Sequence, residues 1–471
     1  MTYISKTELL LALPAEWPVD LLPTIQAQVA ASGRKIVVLD DDPTGTQTVY
    51  DIAVLTEWSV ERLQAELGNA APAFYILTNS RSMALPAAQA CNAEIGRNLQ
   101  MASQACGRDF VVVSRSDSTL RGHYPGETDA LAAALEADVD ATLLIPFFLE
   151  GGRYTIGDVH YVAEGDQLVP AAETPFARDA AFGYQNSNLR AWVQEKTAGR
   201  TAAETVAAIT LDDIRRGGPA AVAQKLENLT HGAVCIVNAA AMRDIQVFVM
   251  GLLAAEAQGK KFLYRTAASF VQVRAGLAAR PLLTQAALDL PTNGGGLVVV
   301  GSYVPKTTSQ VHELLALPDL LCIEVNVEKL LADDEQGAEI QAAVQAANAG
   351  LQQEQDVVIY TSRDLVAGYD AERSLTIGRR VSDSLVEIVR AISTRPRYLL
   401  AKGGITSSDV ATKGLDVRRA LVLGQILPGV PVWRTGDESR HPGLAYIVFP
   451  GNVGDSSALV QVVTALGRIR E

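Results

Sequence analysis

Short apolar, β-branched runs separated by polar loops dominate the first part of the chain. Ile36–Asp40, Ile52–Thr56, Ala73–Thr78, Phe110–Ser114 and Thr142–Pro146 read as strands, and Ala207–Leu211, Ala233–Asn238 and Phe262–Thr266 continue the series. Stretches of helical character lie between several of them: Val60–Leu67, Pro86–Cys106 and Gly126–Glu136. Continuous apolar strands alternating with helices predict a parallel sheet wound on both faces. Several of these strands run into a polar cluster at the carboxyl end: Asp40–Gln47, Thr78–Ser82, Ser114–His123 and Phe147–Tyr154. Open α/β sheets bind their ligands at that end, so one site lined by several loops is expected there.

Pro291-Thr292-Asn293-Gly294-Gly295-Gly296 reads as a flexible connector, after which the alternation restarts. Strands are expected at Leu297–Val300, Leu321–Val325, Val357–Thr361, Tyr398–Ala401, near Val432 and at Ala445–Phe449. Helices are expected at Thr307–Leu315, Glu339–Gln352, Gly378–Ile392, after Ala401, and from Ser456 to Ile469. The pattern predicts an α/β protein of two doubly wound domains with a cleft between them. Residues 1–34 form an N-terminal extension, 35–290 a first domain and 291–471 a second.

Composition narrows the class. The 471 residues are 48% apolar and 20% charged, ample for large cores and ordinary for an α/β enzyme. A net charge of −13 argues against non-specific nucleic-acid binding, which draws on basic surface. Cys91, Cys106, Cys235 and Cys322 lie far apart without metal or disulfide spacing and read as buried thiols of a reducing compartment. No signal peptide or membrane-length apolar run is evident, so a cytoplasmic protein is expected.

Chemistry concentrates in a few loops. Asp40-Asp41-Asp42-Pro43-Thr44-Gly45 places three adjacent carboxylates at a strand end, an arrangement that needs a cation, a bound substrate or raised pKa values. Arg81 and the loop Ser114–His123, with Arg115, Asp117, Ser118 and Arg121, add three guanidinium groups beside acids and hydroxyls. Guanidinium forks grip carboxylates, while Asp, Ser and Thr hydrogen-bond hydroxyls, so the mixture suits a small polyhydroxy acid. A salt-bridged loop network without a ligand is the plainer alternative. His123 and His160 sit near polar loops without metal spacing and read as structural; Gly151–Thr155 reads as a mobile lid or a turn. In the second half, Gly301-Ser302-Tyr303, Lys402-Gly403-Gly404-Ile405-Thr406 and Pro450-Gly451-Asn452-Val453-Gly454 each follow a strand. Such loops bring backbone N–H groups to an anion and favour a phosphate-bearing ligand. Neither a Walker-type P-loop nor a well-placed GxGxxG is present.

These motifs resemble those of the four-carbon acid sugar kinases. The family's acid-acid-x-Thr-Gly motif corresponds to Asp41–Gly45. Its basic residue followed by Asp-Ser-Thr-Leu-Arg-Gly corresponds to Arg115 and, after Ser116, Asp117–Gly122. The resemblance extends over about residues 35–460, with Ile405 where the family has Glu. It implies an N-terminal acid-sugar-binding domain, a C-terminal nucleotide-binding domain, and phosphorylation of threonate, erythronate or 3-oxo-tetronate by ATP with Mg²⁺. On this reading Asp41 or Asp42 orients or deprotonates the attacking hydroxyl. Thr44, Arg81, Arg115, Asp117, Ser118 and Arg121 bind the substrate. Ser302, Gly403, Gly404, Ile405, Thr406, Gly451 and Gly454 bind the nucleotide. The implied partner is a small sugar acid, with neither nucleic acid nor membrane, and a homodimer is left open.

Two rival readings exist. Asp40-x-Asp42-x-Thr44 fits the signature of a haloacid-dehalogenase-like phosphatase with Asp40 as nucleophile, although no later acidic motif accompanies it. A non-catalytic sugar-acid sensor is the other.

Overall fold

The computed structural model describes residues 4–136, 138–302, 304–363 and 371–467. The chain divides into two compact units, residues 1–49 with 57–279 and residues 50–56 with 280–471.

The first unit is built on seven parallel strands. Their spatial order is Ala207–Ile209, Ala233–Val237, Ala141–Ile145, Phe262–Thr266, Phe110–Arg115, Lys35–Asp40 and Ala73–Leu77. Every residue of Lys35–Asp40 and of Ala73–Leu77 is buried, as continuous apolar runs covered on both faces should be. Burial extends even to Lys35, whose Nζ donates to the Asn69 carbonyl, the Asn69 side chain and the Ala71 carbonyl. Asp40 is in register with Leu77 on one side and with Arg115 on the other, so the carboxyl ends of these strands lie side by side.

A second, antiparallel sheet belongs to the same unit. Arg153–Ile156, Val159–Glu164 and Gln167–Pro170 form a meander, and Ile4–Ser5 adds an edge strand beside the last of these. Gly151–Thr155 is therefore the entry to a hairpin, and the backbone of Arg153 exchanges hydrogen bonds with Phe148 at 2.8 and 3.1 Å. Residues before the first parallel strand pack on this unit: Trp17 lies against Gly218, and the Pro14 carbonyl accepts from Arg215.

The second unit orders its strands Ile52–Leu55, Arg419–Leu427, Val430–Thr435, Ala445–Phe449, Tyr398–Lys402, Leu297–Val300, Asp356–Thr361 and Leu320–Val325. The first four pair antiparallel and the rest parallel. Two features depart from the sequence expectations. Ile52–Leu55, read within the first series, pairs with Arg419–Leu427. Arg419–Leu427, not anticipated as a strand, alternates buried and part-buried positions, and short apolar runs of this kind do not declare their period. The cysteine expectation is also corrected: all four are free, but only Cys91 and Cys235 are buried. Tyr303 and the expected end of the last helix at Ile469 lie outside the described residues, where that helix is described as Ala458–Leu466.

The glycine run before Leu297 is no loose connector. The Gly295 carbonyl accepts from the Arg397 backbone at 2.8 Å, and the Gly296 carbonyl accepts from Val357 at 2.8 Å. A Cβ on Gly295 would stand 1.7 Å from the Gln355 carbonyl oxygen, and one on Gly296 would stand 2.2 Å from the Tyr398 ring. These glycines are required by close backbone approach. Gly295→Ala should therefore destabilise the second unit by about 1–3 kcal/mol, the scale of overpacking, measured by urea unfolding; a flexible linker would tolerate the change.

Candidate active site

The site in the first unit begins with three acids in three different environments. Asp40 ends its strand fully buried, with Oδ1 3.1 Å from Nη1 of Arg115. Burial pushes its pKa up to about 7 against the pull of Arg115, with Asp41 and Asp42 adding to the rise. Gly45 lies directly on this carboxylate, since a Cβ there would fall 1.9 Å from Asp40 Oδ2. Asp41 accepts from Arg81 through Nη2 at 2.5 Å and Nε at 3.2 Å, and from Ser116 Oγ at 2.6 Å. Asp42 caps the short helix Pro43–Thr48, accepting from the Thr44 backbone at 2.8 Å and from Thr44 Oγ1 at 2.5 Å. Burial works to raise its pKa, but Arg81 and the Thr44 hydrogen bonds outweigh it and hold the carboxyl below the usual range. Side-chain exposure separates the three: 2% for Asp40, 4% for Asp41 and 20% for Asp42. Asp42 is the most accessible of the three.

The neighbouring loop extends the network. Asp117 accepts from Thr119 Oγ1 and, at 2.7 Å, from Arg121 Nε. Burial opposes ionisation of Asp117, yet Arg121, Arg81 and the Thr119 hydroxyl lower its pKa strongly. Arg121 also approaches Asp179 at 3.5 Å and lies over the Phe176 ring, 5.1 Å from its centroid. Ser118 is buried, and its carbonyl accepts from Nε2 of His160 at 2.7 Å. Nδ1 of His160 then accepts from Thr155 at 3.0 Å; with burial lowering its pKa to about 4, His160 is a neutral structural imidazole. His123 holds the Met83 carbonyl at 3.0 Å.

Of the substrate residues expected from sequence, Thr44, Arg81, Asp117 and Arg121 enter one hydrogen-bonded network through Asp41, Asp42 and Ser116, while Arg115 pairs with Asp40 and Ser118 contributes its carbonyl to His160. Arg115 is buried against Asp40, whereas Arg81 and Arg121 keep partial exposure. Sequence reasoning missed Arg265 and Glu127. Arg265, near the end of Phe262–Thr266, is buried and donates to the Arg121 carbonyl at 2.8 Å and Ser116 Oγ at 3.2 Å, with its guanidinium 5.4 Å over Trp192. Its place at the carboxyl end of an expected strand was the available signal. Glu127, buried in a helix, accepts from Ser80 Oγ at 2.5 Å and Asn92 Nδ2 at 3.3 Å, and nothing in its local sequence marks it.

In the second unit the three glycine loops converge. Gly403 has φ +118°, a conformation suited to glycine, and a Cβ there would meet Ser302 Cβ at 3.0 Å and Thr406 Oγ1 at 3.3 Å. Thr307 Oγ1 donates to Ser302 Oγ and to the Gly451 carbonyl, both at 3.2 Å. Gln310 ties down the third loop through the Val453 and Asp455 carbonyls at 3.0 and 2.7 Å, beside Gly454. Gly404, Ile405 and Thr406 open the helix Gly404–Asp409, with Ile405 58% exposed. Lys402, at the end of its strand, is buried; Nζ donates to the Pro450 carbonyl at 2.6 Å and lies 4.0 Å over the Phe449 ring. Burial, with Lys306 nearby, lowers its pKa to about 7, and among the described residues no carboxylate pairs with it. Hydroxyls and glycine backbone N–H groups are the donor types from which phosphate oxygens accept. Among the described residues no group of three His, Cys, Asp or Glu side chains is arranged for a metal ion, and no helix is long and apolar enough to cross a membrane.

The two units therefore define an α/β protein with a polar cluster of carboxylates and guanidinium groups at strand ends in one unit and three converging glycine loops in the other. Residues 36–274 match the sugar-binding N-terminal domain family and residues 297–459 the nucleotide-binding C-terminal domain family. The chain belongs to the four-carbon acid sugar kinase family, which places it among phosphotransferases acting on a sugar acid. It is 28% identical over 400 residues to a 3-oxo-tetronate kinase of Cupriavidus necator, covering 82% of this chain and 85% of that protein. A 3-oxo-tetronate kinase of Pseudomonas fluorescens is 28% identical over 88% of this chain and 93% of its own length. A D-threonate kinase of Bordetella bronchiseptica is 26% identical over 92% of this chain and 98% of its own. Among solved structures, a Salmonella typhimurium protein described as a putative tRNA synthase shares the fold with a TM-score of 0.65 at 18% identity, covering 91% of this chain and 98% of that one. A Haemophilus influenzae protein does so with a TM-score of 0.61, also at 18% identity, covering 92% of this chain and all of its own (100%). The phosphatase reading falls with this assignment, and physically as well: Asp40 is enclosed by Arg115 and Gly45.

Two outcomes follow from the geometry. Because the Asp40 pKa is raised in the fold, its stabilising contribution is present below about pH 4 and is lost as pH rises through about 7. Wild type should therefore lose stability relative to Asp40→Asn between pH 5 and pH 8, measured by urea unfolding at both values; parallel curves would refute the raised pKa. Separately, Gly403→Val should clash with Ser302 and weaken nucleotide binding by at least tenfold in calorimetry, while sugar-acid binding survives.

Proposed function

We propose that this protein transfers the terminal phosphoryl group of ATP, entering as its Mg²⁺ complex, to a hydroxyl of a four-carbon sugar acid such as 3-oxo-tetronate, threonate or erythronate. The observation that carries the reading is the convergence of Ser302, Gly403, Thr406 and Gly451 beside Lys402, which is held by backbone carbonyls and has no carboxylate partner among the described residues, a donor set matched to a polyphosphate. A sensor that only recognises a sugar acid has no use for such a set. The names of the curated relatives supply the substrate class.

Phosphoryl transfer asks the protein mainly for positioning and charge neutralisation. Gly403, Gly404, Thr406, Gly451 and Gly454, with Ser302, present hydroxyl and backbone groups to the phosphates; exposed Ile405 offers an apolar surface to the base or ribose. Mg²⁺ belongs to the nucleotide substrate on this reading, since the loops offer phosphate donors rather than a cage of carboxylates. Asp42 receives the attacking hydroxyl. Its lowered pKa makes it a weak base, which a loose transition state tolerates. Asp41 fixes Arg81, which steers Asp42 from 3.4 Å. Thr44 holds the other oxygen of Asp42, and Asp117 with the Ser118 loop lines the substrate.

The test is ADP release by purified protein with MgATP and a panel of four- to six-carbon sugar acids, with and without aspartate substitutions. Asp42→Asn should lower kcat by roughly 10²-fold or more, and Asp41→Asn should do the same by releasing Arg81. Asp40→Asn should alter stability more than turnover. Labelled phosphate trapped on Asp40 would sink the kinase reading.

A further inference from the structure

The guanidinium groups around the acid cluster are not equivalent. Arg115 is paired with Asp40, Arg81 with Asp41 and Asp42, and Arg121 with Asp117. Each is already engaged by at least one carboxylate, and Arg265, which has no carboxylate partner among the described residues, is buried with its guanidinium donating to Ser116 and the Arg121 carbonyl. Arg153 differs. Among the described residues no carboxylate lies within ion-pair reach of it, and its Nε is buried without a hydrogen-bond partner. The charged side chains that act on it most strongly are Asp117 and Arg121, the same residues that border the sugar site. Its guanidinium lies over the Phe176 ring, 5.7 Å from the centroid, and Arg121 lies 5.1 Å from that same centroid. Its backbone is clipped to Phe148, just beyond the carboxyl end of the Ala141–Ile145 strand, the sheet end that carries the acids. A partly buried cation with a buried, unsatisfied donor costs free energy unless something anionic completes it.

We propose that Arg153, held on Phe176, is the residue that receives the carboxylate of the substrate and so selects sugar acids over neutral sugars. The assignment rests on the sugar-acid kinase reading and moves carboxylate recognition from Arg81, Arg115 and Arg121, each already paired with an acid, to the antiparallel hairpin. Planar guanidinium geometry suits a carboxylate, and Phe176 restrains the guanidinium plane.

Calorimetry without nucleotide, using threonate and erythronate and their neutral counterparts threitol and erythritol, tests it. Arg153→Gln should weaken acid binding by about 10- to 100-fold, as loss of a charge-assisted hydrogen bond does, and leave the weak polyol binding unchanged. Arg153→Lys, which keeps the charge and is the milder variant for folding, should recover part of the affinity. In turnover its KM for the acid should rise while kcat holds. Affinity for the acids within twofold of wild type in both variants would overturn the assignment, as would equal losses for acids and polyols, or no binding of either acid to wild type. A defect confined to the phosphorylated product would assign Arg153 to phosphate and equally overturn it. Failure of the kinase reading looks different: wild type would bind the acids, sensitively to Arg153, yet release no ADP.

Discussion

Three consecutive aspartates at the end of a buried strand coexist because both neighbouring strands lead into arginines. Lys35–Asp40 pairs with Phe110–Arg115 on one side and with Ala73–Leu77 on the other, and Arg81 follows the latter by a short turn. The register that sets Asp40 opposite Arg115 therefore also sets the charge balance of the site. A slip of one residue would turn buried side chains to the opposite face and leave the acids facing apolar neighbours. Sheet pairing and site chemistry are one constraint here.

The two units handle charge in opposite ways. In the first, carboxylates are graded by environment from an enclosed Asp40 to an accessible Asp42, and arginines are largely matched to acids. In the second, Lys402 is held by backbone carbonyls and Lys306 donates to the Asn452 carbonyl at 3.4 Å, and among the described residues no acid pairs with either. Carbonyl tethers hold the Lys402 amine in place while burial favours its neutral form, so an anion arriving beside it would raise its pKa and draw a proton onto it.

Much of this was legible in the sequence because continuous Val- and Ile-rich runs ending in polar clusters carry both the strand and the direction of its site. The loops bearing Asp41, Arg81, Asp117, Ser302, Gly403 and Gly451 could be found that way. Other parts are not local properties. Whether Arg115 faces a ligand or an aspartate depends on its strand partner, and Arg265 enters the site from a strand distant in sequence. Gly294–Gly296 looks loose in composition, and only the packing of Gln355 and Tyr398 shows it to be tight. Arg419–Leu427 escaped because short apolar segments satisfy helical and extended periods alike.

The path of the backbone has a consequence of its own. The chain passes from one unit to the other after Val49, returns after Thr56 and leaves again after Ala279. Ile52–Leu55 is thereby lent to the second unit, where it covers one side of the Arg419–Leu427 strand. A fragment cut at the long segment boundary would carry the three glycine loops but lack that covering strand. Its exposed hydrogen-bonding edge would invite pairing with other chains. The two halves are thus separable as folding units on paper, while the covalent order of the chain makes each a poor candidate for life alone.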